Sequence, residues 1–168
     1  MGYVNDTGFS KFTPPEMCTG TTGTFAMAVA SNVWSLNKTA GDNTSVIKIP
    51  LLLPSSSVDR QGAQLASVDI WWDCSVGAND AVSAALYKLT LPATTVAPTA
   101  ASVATSYDTA HDTAAERLTL AQHKMTLTLT TPEWVDDDEN FYVELTIDAA
   151  ANSVDKLFGA RANYVFRA

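Results

Sequence analysis

Apolar and polar residues alternate with a period of two along most of this chain. In the clearest stretch, 64–76, one face carries Ala66, Val68, Ile70, Trp72, Cys74 and Val76. The other face carries Ser67, Asp69, Trp71 and Asp73. Successive side chains of a β-strand point to opposite faces of the sheet. The pattern predicts a strand of an antiparallel sheet that has one face in the core and one in water.

The same alternation recurs in 46–53, 81–91, 123–129, 141–148 and 160–167. Short runs rich in Thr and Val, separated by turns, are typical of a sandwich. The prediction is an all-β, antiparallel β-sandwich of seven to nine strands, jelly-roll-like in style. One short helix is predicted within 112–122, because Thr113 and Glu116 have the spacing of a capping box.

The first 22 residues show no period and contain several Gly, Pro and Thr residues. They are predicted to form an extended N-terminal arm, and residues 23–168 the sandwich domain. Aromatic residues at Tyr3, Phe9 and Phe12 are candidates for contacts with a neighbouring subunit. We further expect that deletion of residues 1–20 leaves the sandwich folded but weakens assembly. The segment 92–104, made of small residues, is predicted to be an exposed loop.

Composition narrows the choice of partners. The chain has 168 residues, a net charge of -8 and 46% hydrophobic residues, which suits one folded domain. An acidic surface repels phosphate backbones, so nucleic-acid binding is not expected. No apolar run approaches the roughly 20 residues of a membrane helix, and no signal peptide is recognised. A soluble protein without a membrane partner is expected.

The cysteines and histidines suggest no catalytic chemistry. Cys74 lies on the apolar side of its strand and is expected to pack as a small hydrophobe, although a disulfide with Cys18 stays open. His111 lies among carboxylates, where a surface loop with local ion pairs is favoured over a general base because no nucleophile motif accompanies it. His123 follows the inward face of its strand. Neither an enzyme activity nor a cofactor is predicted.

The densest charge in the chain is the run Asp136 to Glu139. Aspartate favours turns because its side chain bonds nearby backbone amides. Calcium loops place oxygen ligands at alternate positions around a tight turn, and this run has consecutive aspartates and no glycine. A solvated turn of a hairpin is predicted, with Asp136, Asp137 and Asp138 as a weak candidate cation site.

Exposed tryptophans leave a second kind of site open. Trp71 falls on the polar face of its strand, where it could cover a neighbouring strand, meet another subunit or stack on a ligand. Aromatic rings on a sandwich surface can stack on sugars, and Trp34 and Trp134 are further candidates.

The chain resembles, in style, phage and viral structural proteins. The resemblance lies in residues 45–89 ("SVIKIPLLLP…ALYKL"), 106–134 ("SYDTAHDTAAER…TTPEW") and the close "FGARANYVFR". It implies a virion protein that decorates or cements a capsid. Its expected partners are copies of itself, as a homotrimer, and the major capsid protein. A tail or fibre receptor-binding domain and a carbohydrate-binding module are the alternatives.

Overall fold

The computed structural model describes residues 6–41, 43–52, 63–77, 79–94, 96–150 and 152–167. Tyr3 lies outside these residues. The described chain folds into two antiparallel sheets, which confirms the predicted β-sandwich. In chain order the strands are β1 Asp6–Thr13, β2 Thr19–Thr22, β3 Phe25–Ala30, β4 Val33–Lys38, β5 Asn43–Pro50, β6 Ala63–Val76, β7 Asn79–Thr90, β8 Thr99–Val103, β9 Thr105–Tyr107, β10 Ala121–Trp134, β11 Glu139–Ala149 and β12 Val154–Arg167.

The seven-stranded sheet has the order β3-β4-β12-β6-β10-β9, and β1 also pairs with β12. The five-stranded sheet has the order β2-β5-β11-β7-β8. β6 pairs with β12 along nearly its whole length. β1 and β4 must therefore share the other edge of β12.

The core lies between the sheets and contains the apolar residues that the alternation predicts. Val68, Ile70, Trp72 and Cys74 are buried. Ala66 and Val76 were predicted to face inward as well, and this is wrong: Ala66 is only half-buried and Val76 is exposed. The register shifts beside both residues, once between β6 residues 65 and 67 and once between 74 and 76. An extra residue in one strand reverses the side-chain parity beyond it, so Leu65 is buried in place of Ala66.

The described part of the predicted arm belongs to the sandwich. β1 pairs with β12 over eight residues, from Asp6 opposite Arg167 to Thr13 opposite Ala160. The ring of Phe9 stacks on Tyr164, with 5.1 Å between ring centroids. These residues show no alternation in sequence because the side chains of this edge strand are mostly exposed, and within 8–12 only Phe9 is partly buried.

Two predictions about the middle of the chain have different outcomes. The segment predicted to be a loop contains β8, an exposed edge strand that pairs with β7. The predicted helix is confirmed as a single turn, α1 Ala114–Arg117. A separate 3-10 turn, Pro15–Met17, lies between β1 and β2. Both hydrogen bonds of the capping box between Thr113 and Glu116 are present.

Candidate functional site

A groove opens where the edge of β12 passes from one neighbour to the next. β4 pairs with β12 residues 156 and 157, and β1 with residues 160–167. Phe158 and Gly159 lie between these contacts, at a register shift of β12 against β6. The gap forms a cavity of about 660 Å³.

Four aromatic side chains line this cavity, which we call the aromatic groove: Phe12, Trp34, Trp71 and Phe158. Its other walls are Pro14, Pro15, Glu16, Asn32, Val33 and Arg161. Trp34 is 52% exposed and Phe12 is 49% exposed. The groove is therefore apolar on its walls and carries a carboxylate, an amide and a guanidinium among its polar groups.

Gly159 allows Phe12 to reach its place. It has φ +125°, and a Cβ there would lie 2.5 Å from the carbonyl oxygen of Thr13 and 2.8 Å from the Phe12 ring. Since real Cβ atoms do not approach so closely, only glycine lets β1 cross here. The Thr13 hydroxyl donates to the carbonyl of Pro50 at 2.7 Å, which fixes the end of β1.

Trp34 comes from the start of β4, directly after a tight turn. Ser31 and Asn32 have φ of 51° and 65°, and they connect Ala30 to Val33, which are paired. A two-residue hairpin turn with two left-handed residues matches the twist of the flanking strands. The turn places Asn32, Val33 and Trp34 together at one side of the groove.

Trp71 lies on the outer face of β6, among cations. Its ring is 5.3 Å from the guanidinium carbon of Arg161 and 5.7 Å from Lys124 Nζ. Phe12 meets it edge-on at 6.4 Å between centroids. Of the roles left open for Trp71, covering its neighbouring strands is observed directly, and its place in the groove leaves it able to meet a ligand.

Arg161 is held by Asp69, which is on the outer face but only 3% exposed. Asp69 accepts from Arg161 Nη2 at 2.7 Å and from the Thr126 hydroxyl at 2.7 Å. Burial by itself would raise the pKa of Asp69, but the hydrogen bonds from Thr126, Arg161 and Asn163 and the charge of Lys124 hold it below its usual value. The guanidinium therefore has a fixed position at the groove.

A second cavity, of about 410 Å³, adjoins the aromatic groove and shares Val33 and Phe158 with it. Its polar lining residues are Ser31, Ser35, Asp73, Gln122 and Lys156. Lys156 donates to Asp73 at 3.5 Å. The two cavities give the outer face an aromatic part and a polar part side by side.

The acidic run forms a turn, as predicted, but not the turn of a hairpin. The N–H of Glu139 donates to the carbonyl of Asp136 at 3.1 Å. However, β10 before it and β11 after it belong to different sheets, so the run spans the sandwich from one sheet to the other. Glu139 forms an ion pair with Lys88 at 3.0 Å. Among the described residues no group of three or more His, Cys, Asp or Glu side chains is arranged to hold a metal ion.

The two histidines are buried together beside Trp72. His123 stacks on the indole at 4.5 Å between centroids, as its inward position predicts, and its Nε2–H donates to the carbonyl of Thr119 at 2.8 Å. His111 is also buried, which the surface-loop prediction missed, and its Nε2 lies 3.2 Å from His123 Nδ1. Its Nδ1 is 2.8 Å from Asp108 Oδ1.

Neither cysteine forms a disulfide, and both are buried. Burial raises the pKa of Cys18 to about 12, and the negative charge of Glu16 adds to this effect. Burial also raises the pKa of Cys74 to about 11, together with the negative charges of Asp155 and Asp73. Both thiols are therefore protonated and unreactive at neutral pH.

Three residues of the aromatic groove are predicted from the sequence. Phe12 and Trp71 are predicted interface residues and Trp34 is a predicted stacking residue, and the structure brings all three together. Trp134 lies elsewhere, at the end of β10 opposite Gln64, and Phe9 packs on Tyr164. Phe158, Glu16 and Arg161 were missed, because only the gap along β12 places them at one site.

No protein-family model and no curated protein sequence matches this chain. Solved structures of similar architecture include the family 11 carbohydrate-binding module of Clostridium thermocellum in complex with a β-1,3-1,4-mixed-linked tetrasaccharide (6% identity, 96% of this chain, 89% of the other, TM-score 0.39). Another is the carbohydrate-binding module TmCBM61 in complex with β-1,4-galactotriose (12% identity, 96% of this chain, 88% of the other, TM-score 0.37). A third is the enzymatically active domain of bacteriophage CBA120 tailspike protein 4 (6% identity, 92% of this chain, 19% of the other, TM-score 0.37). These likenesses concern the β-sandwich architecture.

In the described residues there is no helix of the length and apolar character that crossing a membrane requires.

Proposed function

We propose that this protein is a non-enzymatic adhesion module that binds a sugar chain in the aromatic groove. The observation that carries the proposal is the convergence of Phe12, Trp34, Trp71 and Phe158 around one cavity of about 660 Å³. The four rings come from four different strands, β1, β4, β6 and β12, and two of them are about half exposed. Ligand sites are commonly concave, mostly apolar and fitted with a few polar groups.

The chemistry of the walls fits a sugar better than a purely apolar ligand. A pyranose presents C–H groups on its faces, which pack on the electron-rich face of an aromatic ring, and hydroxyls at its rim. Around the rings lie Glu16, Asn32 and Arg161, which can accept from or donate to hydroxyls. The adjoining polar cavity would take the next residue of a longer chain.

The charge of the groove favours a neutral sugar over an acidic one. Arg161 already donates twice to Asp69, with Nε at 3.2 Å and Nη2 at 2.7 Å. Glu16 adds a negative charge to a chain whose net charge is -8. An anionic ligand would therefore compete with Asp69 for the one guanidinium in the groove.

The resemblance to phage structural proteins suggests a virion surface as the setting, and the groove favours the receptor-binding alternative there. Capsid decoration rests on that resemblance alone. In a virion, the sugar would belong to a receptor on the host surface.

The first test is a screen of neutral oligosaccharides by intrinsic tryptophan fluorescence, followed by calorimetry on those that respond. We expect Trp34→Ala to weaken binding about tenfold or more, because the loss of one stacking ring costs about 1.4 kcal/mol or more. Trp134→Ala is the matched control, since Trp134 is 39% exposed but outside the groove. Equal affinities for the two variants, or no response to any sugar, would refute the proposal.

A further inference from the structure

The free edge of β3 is the feature of this molecule best suited to assembly. β3 ends the seven-stranded sheet, and in the described chain it pairs with β4 alone. An unprotected edge offers a row of N–H and C=O groups to another strand. Proteins usually block such an edge with proline, charge or a bulge, and "FAMAVA" has none of these.

The hairpin turn determines which residues present their backbone groups to this edge. In a two-residue turn the residues next to it form a hydrogen-bonded pair, here Ala30 and Val33. Hydrogen-bonded and non-bonded pairs alternate along an antiparallel ladder. The even-numbered residues of β3 therefore bond to β4, whereas Phe25, Met27 and Val29 direct their N–H and C=O groups to the free edge.

The sequence of this strand is nearly symmetric about Met27. Reading outward, Met27 is followed on each side by alanine and then by a large apolar residue, Phe25 or Val29. A two-fold axis at Met27 would place Phe25 opposite Val29 of a second copy and each Met27 opposite the other. The large side chains would then meet on one face and the alanines on the other, which is the self-complementarity that a two-fold interface requires.

Charge and exposure also favour a second copy of this chain at this place. No acidic residue occurs between Glu16 and Asp42, although the chain holds 18. Two exposed large hydrophobic side chains, Met27 and Val29, lie on β3 itself. Two acidic molecules can approach here with the least repulsion between carboxylates.

We propose that β3 pairs antiparallel with β3 of a second copy, about a two-fold axis at Met27, so that one continuous sheet spans both molecules. Three hydrogen-bonded residue pairs, 25 with 29, 27 with 27 and 29 with 25, supply about six backbone hydrogen bonds. The interface is distinct from the aromatic groove and does not depend on sugar binding. It produces a dimer, whereas the phage resemblance implies a trimer.

A disulfide tests the register directly. Directly opposed residues of a hydrogen-bonded pair have Cα atoms about 5.5 Å apart, within the range that a disulfide can bridge. We expect Met27→Cys to form a covalent dimer under mild oxidation. Ala28→Cys is the control, because its counterpart lies diagonally across the axis, about 7 to 8 Å away, and cannot bridge. The native cysteines are buried and do not compete.

The mass of the protein in solution provides the second measurement. We expect twice 17.9 kDa for the unchanged protein and 17.9 kDa for Met27→Lys, which places two like charges face to face on the axis. Leu120→Lys, an equally polar change at an exposed leucine outside β3, should stay dimeric. A monomeric unchanged protein at millimolar concentration, a dimer that survives Met27→Lys, or equal cross-linking of the two cysteine variants would overturn the proposal. Sugar binding should also be measured with Met27→Lys. A variant that is monomeric but still binds sugar shows that the dimer and the aromatic groove are independent, so either proposal can fail without the other.

Discussion

At the scale of single residues, Asp69 supports the outer face of the seven-stranded sheet. It pairs with Arg161, whose guanidinium packs on the Trp71 ring, and accepts hydrogen bonds from three neighbouring side chains, those of Thr126, Arg161 and Asn163. Without its charge these donors would lose a common partner, and hydrogen bonds to a charged group contribute about 1.5 to 3 kcal/mol.

We expect Asp69→Asn to lower the free energy of unfolding by about 2 kcal/mol, which corresponds to about 4 to 8 °C in Tm. Because the folded pKa of Asp69 is lowered, its contribution is complete above the unfolded value of about 3.9 and is lost as pH falls through the folded value. Urea unfolding between pH 2 and 7 should therefore show less acid destabilisation in Asp69→Asn than in the unchanged protein. Asp80→Asn, at an exposed position, is the control, and an identical loss there would contradict the assignment.

The histidine pair makes a second prediction at this scale, from a count of protons. The contacts Asp108–His111, His111–His123 and His123–Thr119 each need one hydrogen, but two neutral imidazoles carry only two. Burial would raise the pKa of Asp108, yet the backbone N–H of Thr126 and the His111 ring hold it lowered, so Asp108 is not the source. The Asp108 carboxylate and the Thr119 carbonyl can only accept, so Nδ1 of His111 and Nε2 of His123 each carry a proton, whichever ring supplies the hydrogen between them.

Nitrogen-15 NMR of the imidazoles should show a proton on Nδ1 of His111 and on Nε2 of His123. His123→Asn assigns the signals, since the chain has two histidines. An unprotonated Nδ1 in His111 would show that its contact with Asp108 is not a hydrogen bond.

At the scale of elements, the sequence revealed the strands more fully than their partners. Alternation identified the buried residues of β6, β10 and β11, because each of these strands lies with one face on the core. It could not reveal that the Asp136–Glu139 turn crosses between sheets, since a turn to the same sheet has the same composition. It also missed β1 and the exposed edge strand β8, whose residues lack a two-faced pattern. The groove was missed in part for a related reason, because it depends on where β1 and β4 stop along β12.

Removal of residues 1–13 tests the role of β1. The aperiodic pattern predicts that the sandwich folds without residues 1–20, but β1 covers Tyr164 and Ala160 and makes eight paired positions with β12. We expect the free energy of unfolding of the truncated chain to be lower by about 3 kcal/mol or more, which corresponds to about 6 to 12 °C in Tm. Calorimetry measures this. An unchanged Tm would mean that the pairing of β1 contributes nothing to stability.

At the scale of the whole molecule, the net charge opposes the pairing of two copies, whereas the free edge of β3 favours it. Each copy carries a net charge of -8, while β3 contains no acidic residue. The Debye length is about 30 Å at 0.01 M salt and about 10 Å at 0.1 M. Salt therefore screens the repulsion between two copies without weakening a contact made of backbone hydrogen bonds and apolar side chains.

We expect the Kd of the dimer to fall severalfold between 0.01 M and 0.1 M salt, as measured by analytical ultracentrifugation. Met27→Lys, which should stay monomeric at both concentrations, gives the baseline. A Kd that rises with salt would point to ion pairs across the interface instead.

The shared edge of β12 also has a consequence for synthesis. β12 follows β1, β4 and β6 in the chain, yet all three pair with it. At about 5 to 20 residues per second, a ribosome needs roughly 8 to 30 s to add the residues that separate β1 from the end of β12. During that time β1 has no strand to join, and the symmetric edge of β3 is made long before β12. Neighbouring nascent chains on one messenger could therefore pair through β3 before either sandwich has closed.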